Sequence, residues 1–489
     1  MSITTQPSQL YARGDQRATQ RQASRWWPLA VIAAAHLMAV LDITVMFVAL
    51  PSAQHALGMS IASRQWVLTA YTLSFAALLL LGGRLADRFG ARRTLVLGVI
   101  GFAAASAVGG ASTDGAMLIA ARAVQGAFGA ILVSSTKSLL VTVYTDERER
   151  ARALSIFGGT LTAGMALGLI VGGALTSGLG WRWCLYVNVL VCLVAVPGAL
   201  RVLPSIAPRP AVRLDPIGAV LCSLGMVALV YGLGEVTSTG WGSAQVIGSL
   251  VLAVAALAAF VARQAGRPHG LLPLRVVRDR NRGGALLAMV VNGLSTVGMM
   301  LILTYELQTV LHYSPLRTGL TLIPFAIAAA CGSLLIARRL MTRVALRWLI
   351  GAGIALSAVG LLPLLGLTAG AHSLRLILVA EVIEGIGTGL AGPAILAAAL
   401  RAVAPEDTGA ASAATSAAGQ LGSSIGAALL NTIAATATAA YLVAHGLTAT
   451  VQPDAIVHGY TVAAAWGAGI LLAVVIPITV MINGGARRR

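Results

Sequence analysis

The chain has 489 residues, of which 57% are hydrophobic and only 10% charged, with a formal net charge of +18. A soluble domain carries about 25% charged residues, so an ordinary soluble enzyme is excluded. Apolar runs of about 20 residues, enough to cross ~30 Å of hydrocarbon as a helix, recur throughout, whereas the short alternating segments of a membrane β-barrel are absent.

Fourteen spans are predicted in chain order. They centre near 28–50, 66–83, 94–112, 116–141, 153–175, 183–203, 216–234, 244–262, 284–310, 319–337, 347–367, 374–400, 409–437 and 461–482. The Ala-, Ser- and Thr-rich run at 409–437 suits close helix packing more than lipid contact. The arginines orient these spans. The two tails, alternate loops and Arg401 hold 28 of the 34 Lys and Arg, while the intervening loops hold only Arg64, Arg182, Arg317 and Arg375. Positive charge is retained inside, so both termini are expected in the cytoplasm and the protein in the cell inner membrane. Nucleic-acid binding would need the charge gathered on a soluble domain. A cleavable signal peptide is not expected, because a long polar tail precedes the first apolar run and Asp42 interrupts it. Cys184, Cys192, Cys222 and Cys331 lie in apolar spans without metal-ligand spacing and read as packing residues.

Three landmarks repeat in the same order. Arg84, Leu85, Arg88 and Arg92 align with Arg339, Leu340, Arg343 and Arg347 at an offset of 255 residues; Arg122-x-x-Gln125-Gly126 aligns with Glu381-x-x-Glu384-Gly385 at 259; Gly164-x-x-x-Gly168 aligns with Gly422-x-x-x-Gly426 at 258. Duplicated halves in a membrane protein are the plan of a transporter with its site between them. The offset exceeds one six-span half, so a pair of spans is inserted. The expected organisation is a tail at 1–27, a six-helix half at 28–203, a linker with two extra helices at 204–283, a second six-helix half at 284–482 and a basic tail at 483–489.

The chain resembles the fourteen-helix drug:proton antiporter branch of the major facilitator superfamily. The resemblance rests on Gly83-x-x-x-Asp87-Arg88-x-Gly90-x-Arg92-Arg93 after the second span and Leu41-Asp42-x-Thr44-Val45 with Ala49-Leu50-Pro51 in the first. Arg122, Gln125 and Gly126, Trp181-Arg182-Trp183 with Asn188, Leu307-Gln308 with Ser314-Pro315, and Pro405-Glu406-Asp407 with Gln420-Leu421-Gly422 extend it. It implies an all-α integral membrane fold of two pseudo-twofold-related six-helix halves plus two linker helices. It also implies alternating-access export of amphipathic drugs or antibiotics in exchange for protons, with the gradient as energy source and no cofactor. Four positions depart from the pattern: Leu169 replaces the fifth-helix proline, Phe47 an asparagine, and Ser134 and Leu190 two further prolines. Export of one dedicated metabolite or lipid-like compound therefore stays open as the alternative. The chain shows no nucleotide-binding P-loop and no HExxH metal signature, which argues against an enzyme or an ATP-driven pump.

Four acids fall inside spans: Asp42, Glu306, Glu381 and Glu384. Each is costly in hydrocarbon unless protonated, paired or facing water. Asp42 and Glu384 are the preferred proton carriers, Glu306 a carrier or substrate contact, Glu381 the neighbour of Glu384 on one helix face, and Arg122 the cation that tunes the proton site. Static ion pairs between helices are the alternative. Lys137 reads as a side chain reaching the near-side water. Gly83, Asp87, Arg88, Gly90 and Arg92 form the candidate gate, with a charged solvated loop as its alternative. The duplicate carries Thr342 in place of Asp87, so the gate is expected on one side only. Gly164, Gly168, Gly172 and Gly173 suggest helices sliding at the boundary between halves, or simple tight packing. Phe47, Gln125, Tyr305, Gln308 and Gln420 are candidates to line a substrate cavity. The expected partners are a lipophilic small molecule, protons and the bilayer; oligomerisation is not required.

Overall fold

In the computed structural model, residues 7–205, 215–265, 279–368, 373–401, 403, 408–445 and 452–482 are described. The expected Pro405-Glu406-Asp407 motif lies outside them, as does the Asp87 side chain. All regular structure among the described residues is helical. The first half is α1 (Pro7–Ala56), α2 (Ile61–Phe89), α3 (Ala91–Gly110), α4 (Gly115–Val143), α5 (Glu147–Gly178) and α6 (Trp183–Val202). Next come α7 (Pro216–Thr239) and α8 (Ala244–Ala265). The second half has three composite rods, α9 (Arg280–Val310), α10 (Pro315–Leu340) and α11 (Leu346–Gly366). It closes with α12 (Ser373–Leu400), α13 (Thr408–His445) and α14 (Gln452–Met481). Eleven of these segments are both long and apolar enough to cross a membrane. The others, α2, α5 and α12, are 29, 32 and 28 residues long, also of spanning length.

Polar punctuation sets the ends. Side chains of Ser60, Asp114, Asp215, Asp279 and Ser314 accept from backbone N–H groups that open α2, α4, α7, α9 and α10, supplying acceptors that the first turn of a helix lacks. Pro216 and Pro315 follow two of these caps, where the missing N–H costs nothing. The stretch expected as a loop at 84–93 is instead helical to Phe89. Gly90 alone separates α2 from α3, at φ 91°, a conformation favouring glycine. We call the face holding Gly90 and the start of the apolar part of α1 at Trp26 the near face, and the opposite one the far face.

The halves repeat each other's contacts. Gly126 of α4 sits against the Tyr71 carbonyl of α2; its repeat partner Gly385 of α12 sits against the Phe325 carbonyl of α10. Gly164 and Gly168 of α5 meet Val40, Leu41 and Thr44 of α1; Gly422 and Gly426 of α13 meet Val290 and Leu294 of α9. Without side chains on the glycines, backbones approach closely and dispersion contacts hold the helices together in lipid. Gly164, Gly168 and Gly172 thus pack inside their own half, correcting the expectation that they line the boundary. Only Gly173 faces the second half, against Pro315 and Leu316. The α7–α8 pair packs on itself, and α7 also lies along α2 and α13. Near its ends, Asp215 accepts from Gly218 N, Arg263 Nε and Gln264 Nε2 at 3.0, 2.9 and 3.0 Å.

Candidate functional site: buried charges and the seam between halves

Five helices converge on Asp42. Its carboxylate is 1% exposed and lies midway along the apolar part of α1. Arg122 Nη1 of α4 donates to Asp42 Oδ2 at 2.5 Å and to Gln125 Oε1 at 2.6 Å. Gln125 Nε2 and Asn188 Nδ2 donate to Asp42 Oδ1 at 2.8 and 2.7 Å. Both amides also reach Ser106 Oγ of α3, which donates to the Leu185 carbonyl of α6 at 2.8 Å. From α2, the Val67 carbonyl accepts from Arg122 Nε at 3.2 Å, and the guanidinium lies 4.3 Å from the Tyr71 ring centroid. Arg122 Nη2 is buried without a hydrogen bond. Both Asp42 oxygens are satisfied while one guanidinium nitrogen is not, and removing either partner of such a buried pair costs several kcal/mol.

The sequence offered Arg122 as the cation that tunes the proton site without assigning its acid; the structure pairs it with Asp42, and Gln125, expected in a cavity wall, joins them. Gln125 is 1% exposed and belongs to this network. Phe47 is likewise 5% exposed and part of the packed core. Asn188 had appeared only as a motif residue, and Ser106 had no sequence signal: a serine in an apolar run is unremarkable until a neighbouring helix delivers two amides to it.

The second half treats its acids differently. Glu384 of α12 accepts from Ser295 Oγ of α9 at 3.0 Å, and its other oxygen is unpaired. Glu381 has two buried oxygens beside the Phe325 backbone without hydrogen-bond geometry. Glu306, at the start of a π turn, also has two buried, unpaired oxygens. Such a turn marks functional sites more often than chance. Arg122 partners none of the three. Lys137, expected to reach near-side water, is half-buried, and its Nζ donates to Ser416 Oγ of α13 at 2.9 Å.

At the far face, polar side chains fasten the two halves. Arg64 of α2 places its guanidinium 3.7 Å from the Tyr305 ring centroid and donates to Gln54 Oε1 and Asn431 Oδ1, both at 3.2 Å. Tyr305 Oη donates to the same Gln54 oxygen at 3.2 Å, and Asn431 Nδ2 to Gln65 Oε1 at 2.8 Å. Gln308 Nε2 reaches the Val48 carbonyl at 2.9 Å, and Leu316 N reaches Ser177 Oγ at 3.1 Å. Tyr305 and Gln308, expected in a cavity, are parts of this clasp, and Tyr305 also lines a small cavity with Arg64, Asn431 and Tyr460. Gln420 stays half-buried on α13. Deeper in the seam, Thr72 and Ser424 hydroxyls lie 2.6 Å apart. Of the candidate gate, Arg92 Nη1 donates to the Leu203 carbonyl at the end of α6 at 3.1 Å, while a Cβ on Gly83 would meet open space.

Helices of spanning length in two repeated halves, each with acids buried inside it, fit a transporter plan, and similarity to known proteins names it. The chain belongs to the Major Facilitator Superfamily. The family's pattern matches residues 32–276 and 285–476. Among relatives, it is 45% identical to the puromycin resistance protein pur8 of Streptomyces alboniger, covering 94% of this chain and 92% of that one. It is 39% identical to the cephamycin export protein CmcT of Amycolatopsis lactamdurans (86% and 87% covered) and 32% to the multidrug efflux pump LfrA of Mycolicibacterium smegmatis (86% and 83%). Solved structures agree on the fold. A bacterial homologue of the lysosomal transporter Spinster superposes with TM-score 0.65 at 17% identity, and a POT-family peptide transporter with 0.66 at 16%; each covers 94% of this chain and 97% of its own.

Proposed function

We propose that this superfamily member is an exporter that moves amphipathic drugs or antibiotics outward in exchange for protons. The near face would be cytoplasmic, as the arginine distribution argues, and the inner membrane its place. The observation that carries the coupling is the Asp42–Arg122 pair at 2.5 Å, 1% exposed on both sides. A proton arriving at Asp42 removes the counter-charge of Arg122 and favours a rearranged bundle; its departure restores the pair. Glu384, Glu306 and Glu381 are further carriers or substrate contacts in this reading. The far-face clasp is the gate that opens to release cargo, and the Gly83–Arg92 segment, with Asp87 at its centre, is the near-face gate. The halves at 28–203 and 284–482 would rock about the seam, with 204–283 as linker.

Export of antibiotics is supported by the relatives, several of them named as resistance or efflux proteins. Others are named for one compound, the cephamycin export protein and a probable actinorhodin transporter, which keeps a dedicated product exporter as the second reading.

The deciding experiment is pH-gradient-driven movement of a lipophilic cationic dye in inverted vesicles, wild type against Asp42→Asn. Movement abolished by an uncoupler and by the substitution supports proton exchange at Asp42. Uncoupler-insensitive movement, or movement unchanged in Asp42→Asn, rejects it. A drug panel against one native product then separates broad from dedicated export.

A further inference from the structure

Lys137 is the only lysine in the sequence. It lies on α4 six residues before that helix ends at Val143, close enough for its stem to carry the ammonium to near-side water. It turns instead across the seam to Ser416 Oγ, which itself donates to the Ser412 carbonyl at 3.1 Å. The ion pairs seen among the described residues are Asp42–Arg122 and Asp215–Arg263; neither involves Lys137. The side chain is half-buried, so it keeps accessible surface while facing another helix.

Its surroundings come from four helices. His36 of α1 lies within electrostatic range. The imidazole stacks on Phe157 of α5 with centroids 4.1 Å apart, and its Nδ1 is 2.7 Å from Thr160 Oγ1. An ammonium held by a hydroxyl of the second half, with an imidazole of the first half in electrostatic range, thus lies where both halves contribute. An ammonium within a membrane span and held by one neutral oxygen is poorly compensated, and an ionisable group at such a depth marks a functional site by default. A negatively charged guest would supply the missing charge.

We propose that Lys137 docks an anionic group, such as a carboxylate or sulfonate, on an amphipathic aromatic substrate. The His36–Phe157 stack is the flat wall beside it, and Ser416 holds the ammonium while the site is empty. The proposal deepens the export reading by naming a substrate class, and it rests on that reading.

The test uses two probes of one scaffold: 8-anilinonaphthalene-1-sulfonate, an anion, and N-phenyl-1-naphthylamine, which lacks the sulfonate. Their binding to the full-length protein in nanodiscs is measured by fluorescence against empty nanodiscs. The wild type is expected to favour the anion by about tenfold, a difference of about 1.4 kcal/mol. K137M should abolish that preference and leave the neutral probe unchanged. K137R should keep most of it, and S416A should keep all of it, since only the resting partner is lost. These two variants keep the test decisive if K137M fails to fold. Overturning results are a wild type without preference, both probes weakened in parallel by K137M, or an anion preference lost in S416A as in K137R. Vesicle transport of the same probes separates the two readings. Charge-selective binding without pumping rejects export and leaves the Lys137 site standing; pumping of both probes regardless of Lys137 does the reverse.

Discussion

Asp42 in the first half accepts hydrogen bonds from Arg122, Gln125 and Asn188, whereas Glu306, Glu381 and Glu384 in the second half share a single one, from Ser295. The repeat makes the contrast instructive. Gln125 and Glu384 hold equivalent places on α4 and α12, and each contacts the first helix of its own half. In one half the acid sits on the first helix and its cation and amide on the fourth. In the other, Glu381 and Glu384 sit on the fourth helix, and the first carries both the Ser295 hydroxyl and Glu306. Duplicated backbones have kept the crossing and exchanged the chemistry. The lesson is that one helix plan supplies both a closed charge network and a set of under-satisfied carboxyl groups, which respond differently to a proton.

The sharpest way to break this comparison is to neutralise each side in turn. Asp42→Asn should abolish pH-driven transport, with at least about a hundredfold loss, and lower stability by about 3–5 kcal/mol because Arg122 is left buried and unpaired. The pair of measurements is vesicle transport and thermal unfolding; unchanged values in both would remove Asp42 from the mechanism. Adding Arg122→Gln to Asp42→Asn should recover much of the stability and none of the coupled transport, since the lone charge has gone but the proton site has not returned.

Close helix contacts give the next effect. Any side chain on Gly168 would collide with Thr44, and one on Gly422 with the Val290 carbonyl. Gly168→Val and Gly422→Val should each cost about 1–3 kcal/mol by overpacking, whereas Gly83→Ala, facing open space, should stay within about 0.5 kcal/mol. Unfolding curves for the three variants check the order; a harmless Gly168→Val would undo the packing argument.

In the second half the sign should invert. Glu381→Met removes two unsatisfied oxygens and no partner, so it should leave stability unchanged or raise it by about 1–3 kcal/mol. Destabilisation comparable to Asp42→Asn would mean that Glu381 is held by a charge network after all. The smallest expected change is in conformation. Arg64→Ala loosens the far-face clasp, and a cysteine placed at Gln308 should then react several-fold faster with a membrane-impermeant thiol reagent added from the far side. An unaltered rate would show that the remaining contacts hold the face shut by themselves.

Much of this molecule could be read directly from the chain. Apolar runs of spanning length, arginines in alternate loops and three repeated landmarks gave the helices, their order and the duplication, because hydrocarbon thickness and charge retention act on local sequence. Buried acids were legible for the same reason: a carboxyl group in an apolar run is visible without any partner. Partners were not legible. Asn188 reaches Asp42 only because α6 packs on α1 at that depth, and Ser106 joins the network only because α3 packs on α4 and α6. Lys137 turns to Ser416, 279 positions away. Gln125, Tyr305 and Gln308 proved to be network and clasp residues, and Gly164, Gly168 and Gly172 of the fifth helix faced α1 while Gly173 faced the second half, since the rotation of a helix about its axis is set by neighbours. Sequence alone determined that the chain is built of membrane-spanning helices and which charges fall within them. The tertiary structure decided which of those charges are satisfied, because hydrogen bonds act over about 3 Å and only helix packing brings distant residues that close.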